Sequence, residues 1–143
     1  MKVIGDEKEE KSRPDWVFYS QRHRHGRPID NVLVCKWPAR SIIQEDAVYI
    51  DDLYRRLGFL CTPYHFVINP YGVVSFGRLL SMVPMVSPDQ SEGGRVRTAL
   101  AIGCIVPMGK PLLSDFQMQS LNELLAMCFK CCAIPPSNIA YIP

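Results

Sequence analysis

The amino-acid sequence predicts a single α/β domain in which a mixed β-sheet is sandwiched by helices. Three observations indicate this architecture. A hairpin of β-prone residues occupies positions 64–78, and an uninterrupted apolar run at 99–106 predicts a strand buried on both faces. Amphipathic patterns before the hairpin and after the apolar run predict helices. Strands that alternate with helices along 143 residues are typical of one layered domain.

The N-terminal region is predicted to hold little regular structure. Residues 1–13 are rich in charged side chains and bury too little apolar surface to offset the entropy lost on ordering. We therefore expect a mobile tail at 1–13, followed by the domain at 14–143. Aromatic and β-branched residues at 16–20 predict an edge strand, and the first core strand is predicted at 30–35.

The first helix is predicted to begin at Ser41 and to end at Gly58. Residues 41–44 have the spacing of a capping box, and glycine is the usual residue after a helix end. The apolar face of this helix is predicted to contain Ile43, Ala47, Ile50, Tyr54 and Leu57. In the hairpin, residues 69–72 predict a turn, because proline stands at its second position and glycine at its last.

The segment 79–97 predicts a long loop, since it contains prolines, two adjacent glycines and no steady periodicity. Loops of this length in compact domains are commonly functional. The last helix is predicted to end before Pro135 and to be followed by a short strand at 137–142. Its buried stripe is predicted to hold Met118, Leu121, Leu125, Cys128 and Cys132, flanked by Leu124 and Cys131.

Composition excludes several classes of function. The chain is 48% hydrophobic and 21% charged, which is typical of a soluble globular domain. A net charge of +2 without a basic, aromatic groove does not favour a nucleic-acid partner. No apolar stretch is long enough to span a membrane, and no signal peptide follows Met1, so we expect a cytoplasmic protein without a membrane partner. The six cysteines are accordingly expected as reduced thiols.

Four segments in order resemble the zinc-dependent N-acetylmuramoyl-L-alanine amidases, which include phage lysozymes of amidase specificity and animal peptidoglycan recognition proteins. The segments are the strand at 30–35, the hairpin at 64–78, the strand at 101–106 and the helix at 116–125. The resemblance covers residues 30–139 and implies an amidase-like fold. It also implies that Tyr64 lines the active site, where the tyrosine of the family contacts the substrate carbonyl.

The resemblance also shows where this sequence departs from the zinc site of the family. The first strand of the family ends in a zinc-binding histidine, and here that position is Cys35. The second histidine is expected near 138–143, which contains none. The third ligand and a catalytic lysine or arginine are expected further on, in a segment that this sequence lacks. The resemblance therefore implies a pseudoenzyme with no catalytic residue beyond the remnant Tyr64, no bound cofactor, and Cys35 as the remnant metal position.

Other candidate metal ligands have simpler interpretations. His23 and His25 form a His-x-His pair, but they alternate with arginines that repel a cation. His65 leaves its strand by the face opposite to Tyr64, and we interpret it as a hydrogen-bonded residue of the sheet. The thiols of 128–132 have helical spacing and could approach one ion, but they extend an apolar face and are interpreted as core.

The sequence thus predicts an inactive amidase-fold protein that binds a protein partner or a cell-wall fragment. The expected binding surface is the loop, where Met82 and Met85 would supply adaptable apolar contacts and Arg95 and Arg97 would bind an anion beside two glycines. Arg78, at the end of the hairpin, is the remaining binding candidate. Phage members of the family can pair wall lysis with inhibition of an RNA polymerase, so the resemblance also implies a phage regulatory or inhibitor protein.

Two alternatives stay open at the level of sequence. The first is an active peptidoglycan amidase in which zinc is held by atypical ligands such as Cys35 with His23 or His25. A catalytic mechanism without zinc, in which Cys35 is a nucleophile with a histidine base, is a separate interpretation beside it. The second is an anion or nucleotide sensor that uses Arg95 and Arg97. Zinc is expected as a cofactor only under the first alternative.

Overall fold

The structure is a computed structural model that describes residues 2–4, 27–85, 95–110 and 112–142. It contains two α-helices, α1 (Ala47–Arg56) and α2 (Asp115–Cys132), and one six-stranded sheet with the order β1-β4-β3-β5-β2-β6. The strands are β1 (Lys2–Ile4), β2 (Asn31–Ala39), β3 (Phe66–Ile68), β4 (Val73–Phe76), β5 (Ala99–Pro107) and β6 (Ile139–Ile142). Among the strand pairs of the described residues, β3–β4 alone is antiparallel, so the predicted mixed sheet of an α/β domain is confirmed.

Apolar clusters cover both faces of the sheet, because successive residues of a strand point to opposite faces. On one face, Val32 and Val34 of β2 belong to a cluster with Leu121 and Leu124 of α2. On the other face, Leu33 and Cys35 of the same strand pack in a cluster with Ile50 of α1. The two helices therefore enclose the sheet, and β5 is buried on both sides, as its uninterrupted apolar sequence predicted.

The turn of the hairpin is fixed by Asn69 and Gly72. The Gly72 N–H donates to the Asn69 carbonyl oxygen at 3.0 Å, and the Asn69 side-chain oxygen accepts from the backbone N–H groups of Tyr71 and Val73, both at 2.9 Å. Gly72 has a φ of 82°, a conformation that favours glycine. The predicted hairpin is confirmed, with strands shorter than the β-prone sequence around them.

The predicted start of the first helix at Ser41 is wrong. Residues Ile42–Gln44 form a separate 3₁₀ turn, and α1 begins after Asp46, whose carboxylate accepts from the Val48 N–H at 2.9 Å. Ile43 is consequently 78% exposed instead of buried. Asp46 is the better cap because its charged oxygen lies at the positive end of the helix. Gly58, with a φ of 96°, follows the helix end as predicted.

The buried stripe of α2 contains two polar residues that the apolar pattern did not predict. The Gln117 side chain donates to the carbonyl oxygens of Ile68 and Ile105 at 3.2 and 2.6 Å, and the Ser120 hydroxyl donates to that of Gly72 at 2.6 Å. Both residues are buried, whereas Met118 is 39% exposed. Because of these hydrogen bonds to the hairpin and to β5, α2 is oriented with Gln117 and Ser120 toward the sheet and with Met118 partly exposed.

The N-terminal residues Lys2–Ile4 pair with β4 at one edge of the sheet, where the sequence predicted no regular structure. The strand predicted at 16–20, the pair His23 and His25, and the two glycines at 93 and 94 lie outside the described residues. All six cysteines are free thiols. Among the described residues, no helix combines the length and apolarity needed to cross a membrane.

Candidate functional site

One row of paired residues crosses the α1 face of the sheet at the place where the sequence predicts the remnant metal position. Ser75 of β4 pairs with Val67 of β3, which pairs with Gly103 of β5. Gly103 pairs with Cys35 of β2, and Cys35 pairs with Ile142 of β6. The strand neighbours of Cys35 in this row are therefore a glycine and an isoleucine, which carry no side-chain atom able to bind a metal ion.

The Tyr64 ring lies on Gly103. A Cβ atom built at Gly103 would lie 2.6 Å from Tyr64 Cε2, so the ring occupies the space that any larger side chain would need. Tyr64 is 8% exposed and belongs to the same apolar cluster as Cys35. Burial raises the pKa of the Tyr64 phenol, and the neighbouring Cys35 thiol acts in the same direction. The tyrosine therefore fills the floor of the site.

Cys35 is buried and is held in its protonated form. Its side chain is 5% exposed, and burial raises the pKa of the thiol to about 12. Both a zinc ligand and a nucleophile must be a thiolate, which burial in apolar surroundings disfavours. The geometry of Cys35 therefore gives no support to either of the catalytic interpretations of this residue.

The described residues around Cys35 do not fit a catalytic zinc ion. Such an ion takes three protein ligands and keeps one position open for water. Within residues 27–85, 95–110 and 112–142, no three His, Cys, Asp or Glu side chains lie close enough to share a metal ion. The thiols of Cys128, Cys131 and Cys132 are among these side chains.

His65 is a structural residue on a different part of the sheet. Its Nδ1 accepts from the Ala101 N–H at 2.9 Å, so Nε2 carries the proton and donates to the Met82 carbonyl oxygen at 2.8 Å. Burial lowers the pKa of His65 to about 3, and the charges of Arg27 and Arg78 act in the same direction. The neutral ring therefore anchors the segment after the hairpin, in agreement with its interpretation as a hydrogen-bonded residue of the sheet.

Arg78 is also committed to contacts within the chain. It is 9% exposed, and its Nε donates to the Thr62 carbonyl oxygen at 3.1 Å. Its two terminal nitrogens contact the Val83 carbonyl oxygen at 3.4 Å and the Met85 sulfur at 2.8 Å. Met82 and Met85 are half-buried, which corrects the prediction that they are exposed. The buried guanidinium that holds this segment in place is the physical reason.

Arg95 and Arg97 lie in the 3₁₀ turn Arg95–Thr98 directly before β5. Arg97 is exposed and Arg95 is half-buried. A hydrogen bond from the Asn31 side chain is the largest cause that lowers the pKa of Asp30, and the charge of Arg95 contributes to the same shift. Of the two described cavities, one between α1 and the β3–β4 hairpin and one where β2 ends, neither is lined by Arg95 or Arg97.

A cleft lies where β2 ends, on the same face of the sheet as Cys35. Its volume is about 330 Å³, and we call it the Trp37 cleft; it is lined by Trp37, Pro38, Arg40, Gln44, Tyr49 and Leu53. The rings of Trp37 and Tyr49 meet edge to face with centroids 6.1 Å apart, and Gln44 Nε2 contacts the Tyr49 hydroxyl at 3.2 Å. Sequence reasoning missed this cleft because it placed Gln44 inside the first helix.

The structure is similar to solved structures of amidases and peptidoglycan recognition proteins, which share one fold. The N-acetylmuramoyl-L-alanine amidase endolysin LysCS from Clostridium intestinale matches with 20% identity and a TM-score of 0.63, over 80% of this chain and 69% of its own. Drosophila peptidoglycan recognition protein SD matches with 14% identity and a TM-score of 0.65, over 80% and 69%. The ectodomain complex of the recognition proteins LCa and LCx, bound to tracheal cytotoxin, matches with 17% identity and a TM-score of 0.64, over 81% and 70%.

No protein-family profile and no curated protein sequence matches this chain. The solved structures nonetheless establish the fold, because the similarity covers four fifths of the chain with TM-scores above 0.6. The chain has the fold of the N-acetylmuramoyl-L-alanine amidases and peptidoglycan recognition proteins, as its sequence motifs predicted.

Proposed function

We propose that this chain, which has the amidase fold, is a binding protein that does not hydrolyse peptidoglycan. The row across the α1 face of the sheet carries this proposal. The position that the resemblance assigns to the first zinc histidine is the buried thiol of Cys35, and its partner on β6, where the second histidine is expected, is Ile142. Tyr64 covers the intervening Gly103. A packed apolar floor therefore replaces a metal centre.

We propose further that the ligand is a soluble peptidoglycan fragment bound in the Trp37 cleft. The cleft is lined by Trp37, which follows Cys35 by two residues on the same face of β2, the strand that carries the first zinc ligand in the amidases that this chain resembles. The half-buried Trp37 ring offers a flat apolar surface for a sugar or an aliphatic side chain, and the exposed Arg40 offers a cation for a carboxylate. Gln44 orders the wall of the cleft, because its side-chain oxygen accepts from the Arg40 N–H at 2.9 Å and its Nε2 contacts the Tyr49 hydroxyl at 3.2 Å.

The purified protein is expected to contain well below one zinc ion per chain and to leave N-acetylmuramoyl-L-alanine bonds intact. The physical reason is the shortage of ligands around Cys35. Elemental analysis and a cell-wall clearing assay, each with and without a chelator, measure the two properties. Stoichiometric zinc together with chelator-sensitive clearing would contradict the proposal and favour the active amidase with atypical ligands.

Replacing Arg40 with glutamine is expected to weaken binding of an N-acetylmuramoyl tripeptide about tenfold, because one charge-assisted hydrogen bond to a carboxylate is lost. Arg56→Gln is the matched control, since Arg56 is also an exposed arginine and lies outside the cleft. Isothermal titration calorimetry measures both affinities, and thermal unfolding checks that the variants are folded. Equal affinities for the two variants would show that the ligand does not use the Trp37 cleft.

A protein partner is the second candidate, and one observation favours it. Leu60, Leu79 and Val83 are 74%, 55% and 41% exposed. They lie on adjacent segments, which are joined by the contacts of Arg78 with Thr62 and Val83. If the tripeptide does not bind at all, this exposed apolar surface becomes the leading interaction site.

A further inference from the structure

Three neighbouring strands end at the same end of the sheet and carry exposed apolar residues beyond it. β3, β5 and β2 lie side by side and are parallel, so the chain leaves all three of them in one direction. In the segments that follow these strands, six large apolar residues are 63% to 80% exposed. We call them the sheet-end patch: Ile42, Ile43, Tyr71, Met108, Leu112 and Phe116.

Contacts between these segments hold the parts of the patch together. The Met108 N–H donates to the Ala39 carbonyl oxygen at 2.8 Å, which joins the segments that follow β5 and β2. A Cβ atom built at Gly72 would lie 3.1 Å from Phe116 Cβ, so the turn that carries Tyr71 lies against the start of α2. The patch therefore extends across the ends of three strands, a width of about 10 Å at a strand spacing of about 4.8 Å.

The exposed apolar area of the patch is large for a monomeric protein. A large apolar side chain has a surface on the order of 150–200 Å², so six residues at these exposures present about 800 Å². The largest apolar patch of a typical monomer is roughly 300–600 Å². Each partner in a stable interface of standard size buries about 800 Å². The patch alone thus supplies the area that one side of a dimer interface needs.

Charged residues of both signs accompany the patch. Two basic and three acidic residues lie in the segments that carry it: Arg40, Glu45, Asp46, Lys110 and Asp115. A partner with charges of one sign, such as an anionic membrane surface, would meet like charges as well as opposite ones. A second copy of the chain presents the same mixture, so opposite charges can face each other across a twofold axis.

We infer that this chain forms a homodimer in which the sheet-end patches of two copies pack against each other about a twofold axis. In such an interface each residue of the patch contributes twice, once from each copy. Burial of the exposed apolar side chains drives the association, and the accompanying charges form a polar rim. The inference goes beyond the proposed function, since no residue of the patch lines the Trp37 cleft.

Sedimentation velocity of the full chain without any ligand measures the association. We expect a reversible monomer–dimer equilibrium between about 1 and 100 µM, as for a dissociation constant in the micromolar range. Leu112→Gln combined with Phe116→Gln should raise this constant at least about thirtyfold, because both copies lose apolar surface from the same interface. Both residues are exposed, so the variant should fold, which thermal unfolding checks.

Leu57→Gln combined with Phe129→Gln is the matched control. These residues are 63% and 60% exposed, and Phe129 lies about 20 Å along α2 from Phe116. The control should dimerise like the wild type. A wild type that stays monomeric up to about 100 µM, or equal dissociation constants for the two double variants, would overturn the inference. Binding of a monomeric wild type to neutral phosphatidylcholine vesicles would overturn it as well, and would assign the patch to a lipid surface.

Discussion

Replacing Gly103 with alanine is expected to lower the free energy of unfolding by about 3 kcal/mol. The added methyl group would lie 2.6 Å from Tyr64 Cε2, which is closer than carbon atoms approach in folded proteins. Tyr64 cannot move aside at low cost, because its ring is buried in the cluster that contains Cys35 and Val67. Urea denaturation of the wild type and the variant measures the loss.

A double-mutant cycle identifies the Tyr64 ring as the cause of that loss. In a Tyr64→Ala background the space above Gly103 is empty, so Gly103→Ala should cost less than about 0.5 kcal/mol or be stabilising. The coupling energy between the two positions should therefore be about 2 kcal/mol or more. If Gly103→Ala costs the same in both backgrounds, Tyr64 does not fill the floor of the site.

The packing of Tyr64 bears directly on the proposed function. In the amidases that the sequence resembles, a tyrosine at this position lines an active site and faces the substrate. Here the ring has 8% of its surface exposed and has Cys35 and Gly103 as neighbours. The exposed part of Tyr64 is therefore small, whereas the Trp37 cleft offers a ligand a larger open surface.

The elements predicted best from sequence are those whose signal is local. The turn at Asn69 and Gly72 follows from residue type alone, because few residues other than glycine adopt its positive φ. Strand β5 could be predicted because an uninterrupted apolar run is typical of a strand that is buried on both faces. The order of these motifs was sufficient to predict the fold, although the solved structures of that fold share 14% to 20% identity with this chain.

Features that depend on distant partners could not be predicted from sequence. Arg78 and His65 hold the segment after the hairpin through backbone carbonyl oxygens, and nothing in the local sequence marks those acceptors. The sequence therefore predicted that Met85 is exposed, although its sulfur accepts a hydrogen bond from a terminal nitrogen of Arg78. The start of α1 was misplaced for a different reason, since a capping-box pattern and a single aspartate compete within five residues, and the charged side chain of Asp46 is the better cap.

Acidification is expected to destabilise the fold through His65. The pKa of His65 is about 3 in the folded state, below the ordinary value of about 6.5 for an unfolded chain. Between these pH values the unfolded state binds more protons, so stability is complete above pH 6.5 and decreases as the pH falls toward 3. The limiting slope is about 1.4 kcal/mol per pH unit, which gives a loss of about 2.5 kcal/mol between pH 6 and pH 4.

His65→Gln isolates this contribution, because glutamine does not titrate while the carboxylates of the chain are unchanged. The variant should be less stable at pH 7, since an amide cannot reproduce both the bond from the Ala101 N–H and the bond to the Met82 carbonyl oxygen in the same geometry. Its stability should depend less on pH between 6 and 4 than that of the wild type, by about 2.5 kcal/mol. Urea denaturation at several pH values measures both curves. Parallel curves would mean that His65 is protonated in the folded state, and the neutral ring would then not be what anchors the segment after the hairpin.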